Sequence, residues 1–277
     1  MSKTAIILAA GKGTRMKSDL PKVLHEVRGR PMLAYVIDAC RGAGCDRLIV
    51  VVGHRADLVR SAFADDSRDL TYVDQAPQLG TGHAVMVCGD QLQGLSGPVL
   101  VVAGDGPLIS AETLVELMST HRKSGAACTV ATSILPDPAA YGRIVRDERG
   151  ELVGIVEYLD ATPRQRDIKE VNVSLYCFDA AALRDVLSRL DNKNAKGEYY
   201  LTDTLKLLRA EGRRLAAVAA VPPEDVLSIN TLEELQEVDR ILTARGAEQP
   251  RRGASSEGTP GRHSGRGART RGTTTWS

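Results

Sequence analysis

Residues 8–24, LAAGKGTRMKSDLPKVL, set two glycines, an arginine and three lysines directly behind a short apolar run. Glycine lets backbone N–H groups approach an anion closely, so Gly11 and Gly13 suit a loop that wraps phosphates. Arg15 and Lys22 supply charge to neutralise them. A Walker A loop needs G-x-x-x-x-G-K-[ST], which this stretch lacks, and the dinucleotide fingerprint G-x-G-x-x-G fails because Met16 stands at its third glycine. Taken alone, the loop says phosphates and no more.

Asp105 is a second candidate. It follows the apolar run 99–103 (VLVVA), which places a carboxylate at the carboxyl edge of a parallel sheet, where open α/β folds bind ligands. Carboxylate oxygen is a hard ligand suited to Mg²⁺, which takes one or two protein ligands and completes its shell with water and phosphate. Asp105-Gly106 also reads as an ordinary turn. The five cysteines sit singly in apolar segments without C-x-x-C spacing and read as reduced core residues.

The elements that must position these groups alternate strand and helix. Residues 5–9 (AIILA), 48–52 (LIVVV) and 99–103 are the continuous apolar runs of buried parallel strands. Pro31 is placed to open a helix with Leu33, Val36, Ile37 and Cys40 on one face and Gly42 or Gly44 stopping it. Residues 130–133, 143–146, 153–157 and 171–178 read as strands with few helices between them. Thr231 and Glu234 fit a capping box whose helix runs to about Ala244. The expected architecture is α/β, with a mostly parallel central sheet flanked by helices.

The chain has 277 residues, 43% hydrophobic and 26% charged, with a formal net charge of +1, enough for a sizeable core in one long domain or two smaller ones. That balance demands no polyanionic partner, so nucleic acid is not expected. No apolar run reaches the roughly 18–20 residues of a membrane span, and the start shows no signal-peptide pattern, so a cytoplasmic protein is expected. From Arg245 to Ser277 the composition turns to Gly, Arg, Ser and Thr, with seven arginines and two glutamates. The expected division is therefore a domain over 1–244 and a disordered basic tail over 245–277, the alternative for the tail being a polyanion-binding arm.

Together with this loop, QLGTGHA (78–84), GDGPLI (104–109), YGRIV (141–145), GIVEYLDAT (154–162), EVNVSLY (170–176) and KGEYYLTD (196–203) resemble, in order, the sugar-1-phosphate nucleotidylyltransferases, and among them the N-acetylglucosamine-1-phosphate uridylyltransferases. The resemblance covers residues 4 to about 244. It implies a Rossmann-like nucleotidyltransferase fold with a smaller sugar-binding β subregion, and transfer of UMP from UTP to N-acetylglucosamine-1-phosphate with release of pyrophosphate. By the same resemblance Leu8, Ala9, Ala10, Gly11 and Gly13 line the nucleotide, Arg15 meets the departing phosphates and Lys22 bridges phosphate oxygens. Asp105 and Asn230 hold Mg²⁺, although Asn230 also reads as a helix-entry residue. Gln75, Gly80 and Thr81 select uracil; Gly142, Glu157 and Asn172 take the sugar. His83 reads as a helix-start or packing residue.

Two departures stand out: Ala103 where the family commonly has Tyr, and Asn172-Val173-Ser174 where it commonly has N-T-G. Both are expected near the sugar, so another sugar or nucleotide is the alternative reading, and a silent nucleotide-binding module a further one. The tail shows no hexapeptide repeat, so no β-helix trimer is expected, rather a monomer or weak oligomer.

Overall fold

The computed structural model describes residues 2–248. β1 (Thr4–Leu8) leads into two 3₁₀ turns, Thr14–Met16 and Lys22–Leu24, and a small hairpin of β2 (Glu26–Val27) and β3 (Arg30–Pro31). Then follow α1 (Met32–Gly42), β4 (Arg47–Val52), α2 (Ala56–Ala62), β5 (Leu70–Asp74), α3 (Thr81–Met86) and α4 (Gly89–Leu92). The middle of the chain forms β6 (Pro98–Ala103), α5 (Ala111–Ser124), β7 (Cys128–Ile134), β8 (Arg143–Arg146) and β9 (Leu152–Val156). The last part holds α6 (Pro163–Arg166), β10 (Glu170–Asp179), α7 (Ala180–Leu187), α8 (Asp203–Ala210), β11 (Leu215–Val218) and α9 (Leu232–Glu248).

The main sheet runs β11-β7-β10-β6-β1-β4-β5, with β8 pairing β10 and β9. β6, β1, β4 and β5 are parallel, as are β11 and β7, whereas β10 lies antiparallel between β7 and β6. The apolar runs become strands because both faces of a central parallel strand are covered. Ile6 packs into one cluster with Ile49, Val85, Leu183 and Leu205; Ala5 and Ile7 pack into another with Leu48, Val36 and Leu117. The result is helices on both sides of one sheet.

Pro31 caps α1, whose buried face holds Leu33, Val36, Ile37 and Cys40. Ser110 caps α5 by accepting from Thr113 N–H, and Gly125 at φ 61° ends it. The strands expected over 143–146 and 171–178 appear as β8 and β10, while the one expected over 153–157 ends at Val156, leaving Glu157 just beyond it. β5 and β11, which the apolar pattern did not single out, end the sheet. All five cysteines are buried and free. Among the described residues no helix is long and apolar enough to cross a membrane.

A third cluster, Met16, Val27, Met32, Leu108, Ile229 and Val238, packs α9 against the first hairpin. α9 continues past Ala244 to Glu248, and Arg245 pairs with Asp225. A boundary at residue 245 therefore falls inside a helix: its acidic partner gives Arg245 a place on the folded body that composition could not reveal. The remainder of the expected tail, 249–277, lies outside the described residues.

Candidate active site

Parallel strands end level with one another. Leu8 lies opposite Val51 and Ala103, so the turns after β1, β4 and β6 open on one edge of the sheet. Two bonds of 2.9 Å tie these exits together, Ala9 N–H to Val51 O and Gly104 N–H to Leu8 O. Gly11 has open space where a Cβ would stand, whereas at Gly13, φ +63°, a Cβ would meet Lys22 Cβ at 2.8 Å. Gly13 thus lets the loop fold back onto the lysine.

Lys22 is 9% exposed. Its Nζ pairs with Asp105 and donates to Asn230 Oδ1 at 2.7 Å. Arg15 Nη2 donates to the same Oδ1 at 2.8 Å. Asn230 is aimed by its surroundings: its Nδ2 donates to Ser228 O at 3.0 Å, and its N–H donates to Glu234 Oε2 at 2.6 Å. Glu234 Oε2 also accepts from Thr231 N–H while Thr231 Oγ1 accepts from Glu234 N–H, at 3.0 and 3.2 Å, which is the capping box that residues 231–234 predicted. Ile229 N–H donates to Asp105 O at 3.1 Å, fastening the two loops. Arg15, Lys22, Asp105 and Asn230, spread over the whole chain, therefore form one cluster.

A carboxylate and an amide oxygen already share one cation there. This is the hard-oxygen donor set that suits Mg²⁺. Among the described residues no group of three or more His, Cys, Asp or Glu could hold a metal alone, so phosphate oxygens would have to complete the shell.

On the far side of the loop Gln75, 5% exposed, donates from Nε2 to Gly80 O at 2.8 Å and lies 3.3 Å from His83 Nδ1. Gly80 is the residue before α3 and Thr81 its first. Thr81 Oγ1 accepts from Leu201 N–H at 3.1 Å, and Gly82 N–H donates to Tyr199 O at 2.7 Å, so segment 199–201 underpins this helix start. Gln78, to which the sequence assigned no role, donates to Ala10 O.

Gly142, Glu157 and Asn172 come together on the wall of a cavity of about 230 Å³. Leu8 and Thr81 line it too, so it adjoins the loop and the start of α3. Glu157 Oε1 accepts from Thr202 Oγ1 at 3.0 Å; burial pushes its carboxyl above the ordinary 4.5, opposed by that hydrogen bond and by Lys196. Asn172 Nδ2 donates to Tyr176 OH at 2.7 Å, and its Oδ1 accepts from Ser174 N–H at 3.1 Å. Between Asn172 and Tyr176 the register of β10 on β7 shifts, and in this bulge Ser174 takes φ 57°.

Tyr176, Lys196 and Thr202 line the same cavity. They lie within the quoted segments EVNVSLY and KGEYYLTD, but which of their side chains turn inward depends on the bulge and on the loop under α3. Of the two departures, Ser174 lines this cavity, whereas Ala103 and Val173 face a separate apolar space of about 30 Å³ with Leu175 and Val226. Ala103 thus lines that second space rather than the cavity beside Glu157 and Asn172.

Residues 5–155 match the MobA-like NTP transferase domain. The chain is 46% identical over 241 residues to the bifunctional protein GlmU of Geobacter metallireducens, covering 87% of this chain and 50% of that protein. It is 47% identical over 246 residues to the bifunctional protein GlmU of Pelotomaculum thermopropionicum, covering 88% and 53%. The chain thus spans about half the length of the curated relatives it matches. Among solved structures, UDP-glucose pyrophosphorylase complexed with UDP-glucose superposes with a TM-score of 0.69 at 21% identity, over 88% of this chain and all of that one, which shows a shared fold. Because the matched domain takes in more than half of the 277 residues, the chain belongs to the MobA-like NTP transferase domain family.

Proposed function

We propose that this nucleotidyltransferase transfers UMP from UTP to N-acetylglucosamine-1-phosphate. The observation that carries the reading is the adjacency of the Lys22-Asp105-Asn230 cluster and its glycine-bearing loop to a cavity walled by Gly142, Glu157 and Asn172, with Leu8, which leads into that loop, on the cavity wall. The ordered motifs shared with the N-acetylglucosamine-1-phosphate uridylyltransferases support the choice of substrates, as does identity above 45% to two GlmU proteins.

The chemistry asks for alignment more than for proton transfer. A phosphate monoester, with a second pKa near ~6, is largely a dianion at neutral pH, so an oxygen of the sugar phosphate attacks the α-phosphorus without a base. The new P–O bond forms as the bond to pyrophosphate breaks. Both substrates are anionic, and catalysis consists of holding them in line and offsetting their charge. Backbone at residues 9–13 takes the triphosphate. Lys22 exchanges Asp105 and Asn230 for phosphate oxygens, and Arg15 offsets the charge of the leaving pyrophosphate. The oxygens thus released on Asp105 and Asn230 would hold Mg²⁺, which when bound neutralises phosphate charge. Gln75 and the start of α3 face the base; Glu157 and Asn172 hydrogen-bond the sugar.

Pyrophosphate release, measured for the four nucleoside triphosphates against several sugar-1-phosphates, tests this. UTP with N-acetylglucosamine-1-phosphate is the expected best pair. Preference for dTTP with glucose-1-phosphate would replace the substrate assignment while keeping the reaction type.

A further inference from the structure

Arg143 heads the largest fully buried side chains, at 2% exposed. Among the described residues its guanidinium makes hydrogen bonds only to backbone carbonyls. Nε donates to Arg166 O at 3.2 Å, Nη1 to Pro138 O at 3.3 Å and to Tyr141 O, and Nη2 to Ala139 O at 2.9 Å. Among the described residues no carboxylate forms an ion pair with it. Burial lowers its pKa from the ordinary value, yet a guanidinium stays charged. An unpaired buried cation disfavours folding compared with an apolar side chain of the same volume, so core packing does not account for it.

Its partners do. Pro138, Ala139 and Tyr141 belong to the loop that delivers Gly142, and Ala139 in that loop is held at φ +41°. Arg166 belongs to the segment that follows Glu157. Two cations approach the Tyr158 ring, next to Glu157, with Arg143 Cζ 5.6 Å and Arg166 Cζ 4.8 Å from its centroid. Gly142 O accepts from Asn172 N–H at 2.9 Å, and a Cβ on Gly142 would stand 3.4 Å from Glu157 Oε2 and 3.6 Å from Asn172 Cβ.

We propose that Arg143 is a positioning residue for the acceptor subsite: its buried guanidinium binds loop 138–142 to the segment after β9, and so holds Gly142, Glu157 and Asn172 in register before a ligand arrives. That this wall receives the sugar rests on the function proposed above; that Arg143 organises it does not. A fork of five fixed donors can collect four carbonyls from two segments, whereas a lysine ammonium has three donors on a flexible stem. Preorganisation of this kind favours affinity by removing the need to order the wall on binding.

Arg143→Lys keeps the charge and loses the fork. The KM for the sugar phosphate should rise about tenfold while that for UTP stays within about twofold, the signature of lost binding on one side of the cleft. A lower melting temperature with both KM values unchanged would reduce Arg143 to a structural residue and overturn the proposal. Should that variant not fold, Tyr158→Leu, which leaves the guanidinium in place, decides by the same comparison, with a rise of about threefold expected from loss of the ring that both cations approach. Amide exchange of residues 139–142 needs no substrate. It should quicken about tenfold in either variant while β1, β4 and β6 keep their protection; exchange unchanged, or accelerated evenly throughout, refutes the role. A wild-type chain that turns over no sugar phosphate would defeat the functional reading, and the exchange comparison would still decide Arg143.

Discussion

Lys22 donates a 2.7 Å hydrogen bond to Asn230, 208 residues further along the chain. The same ammonium pairs with Asp105. One cation thus joins the loop after β1, the turn after β6 and the entrance to α9, and each oxygen it holds is a candidate metal ligand.

Lys22→Met should therefore lower turnover on the order of a hundredfold or more, the scale for losing one preorganised charged group. Circular dichroism should remain that of the wild type. Turnover within threefold of wild type at saturating substrates would remove Lys22 from the site.

Asp105→Asn should likewise cost about a hundredfold in turnover. The ion pair with Lys22 means that this carboxylate is stabilised by a neighbour, so its neutralisation does not relieve repulsion. Both side chains are mostly buried, 11% and 22% exposed, and the melting temperature should fall by about 2–4 °C, the equivalent of 1 kcal/mol in a protein of this size. A rise in melting temperature would contradict the pairing.

Glu157 gives a pH signature. Its folded-state pKa is raised, so the folded protein binds a proton that the unfolded chain has released, and stability falls as pH climbs from the ordinary 4.5 to the raised value. Above that window the buried carboxylate is a standing cost. Glu157→Gln, whose amide oxygen still accepts from Thr202, should melt higher than wild type at pH 7 and lose that advantage below pH 4.5. The KM for the sugar phosphate should rise about tenfold on loss of a charged acceptor. Melting curves that run parallel at every pH would show that Glu157 titrates normally.

Ser174 holds φ 57°, in the left-handed region where a side chain costs about 1 kcal/mol relative to glycine. Ser174→Gly should raise the melting temperature by about 2–4 °C and leave the Ser174 N–H bond to Asn172 in place, because it is made by backbone. A lower melting temperature would mean that the Ser174 side chain contributes more than its backbone costs.

β1, β4 and β6 were legible because a strand buried on both faces is an unbroken apolar run, and a run needs no partner to be recognised. The order of the strands was not. β10 reads from sequence as one more strand, and nothing local in residues 171–178 tells that it enters antiparallel between β7 and β6. In the candidate site, Gly11, Gly13, Lys22 and Asp105 follow recognisable strand ends, so both spacing and resemblance point to them. Arg143 resisted reading for the opposite reason: in RIVR the two arginines look equivalent, yet Arg146 pairs with Glu170 at the surface and Arg143 is buried. Their difference lies in loop 138–142 and segment 158–166, which meet only in the folded chain.

The place of β10 also orders the assembly of the molecule. During synthesis β1, β4, β5 and β6 can pair as soon as residue 103 has emerged, yet the outer edge of β6 finds its partner only when residues 175–179 arrive. For the length of chain between them, the nascent protein carries an open ladder of Leu100, Val101 and Val102, the kind of edge that recruits other strands. The strand that will carry Asn172 is also the one that closes this edge. An unfinished chain is therefore most exposed to aggregation until that strand arrives.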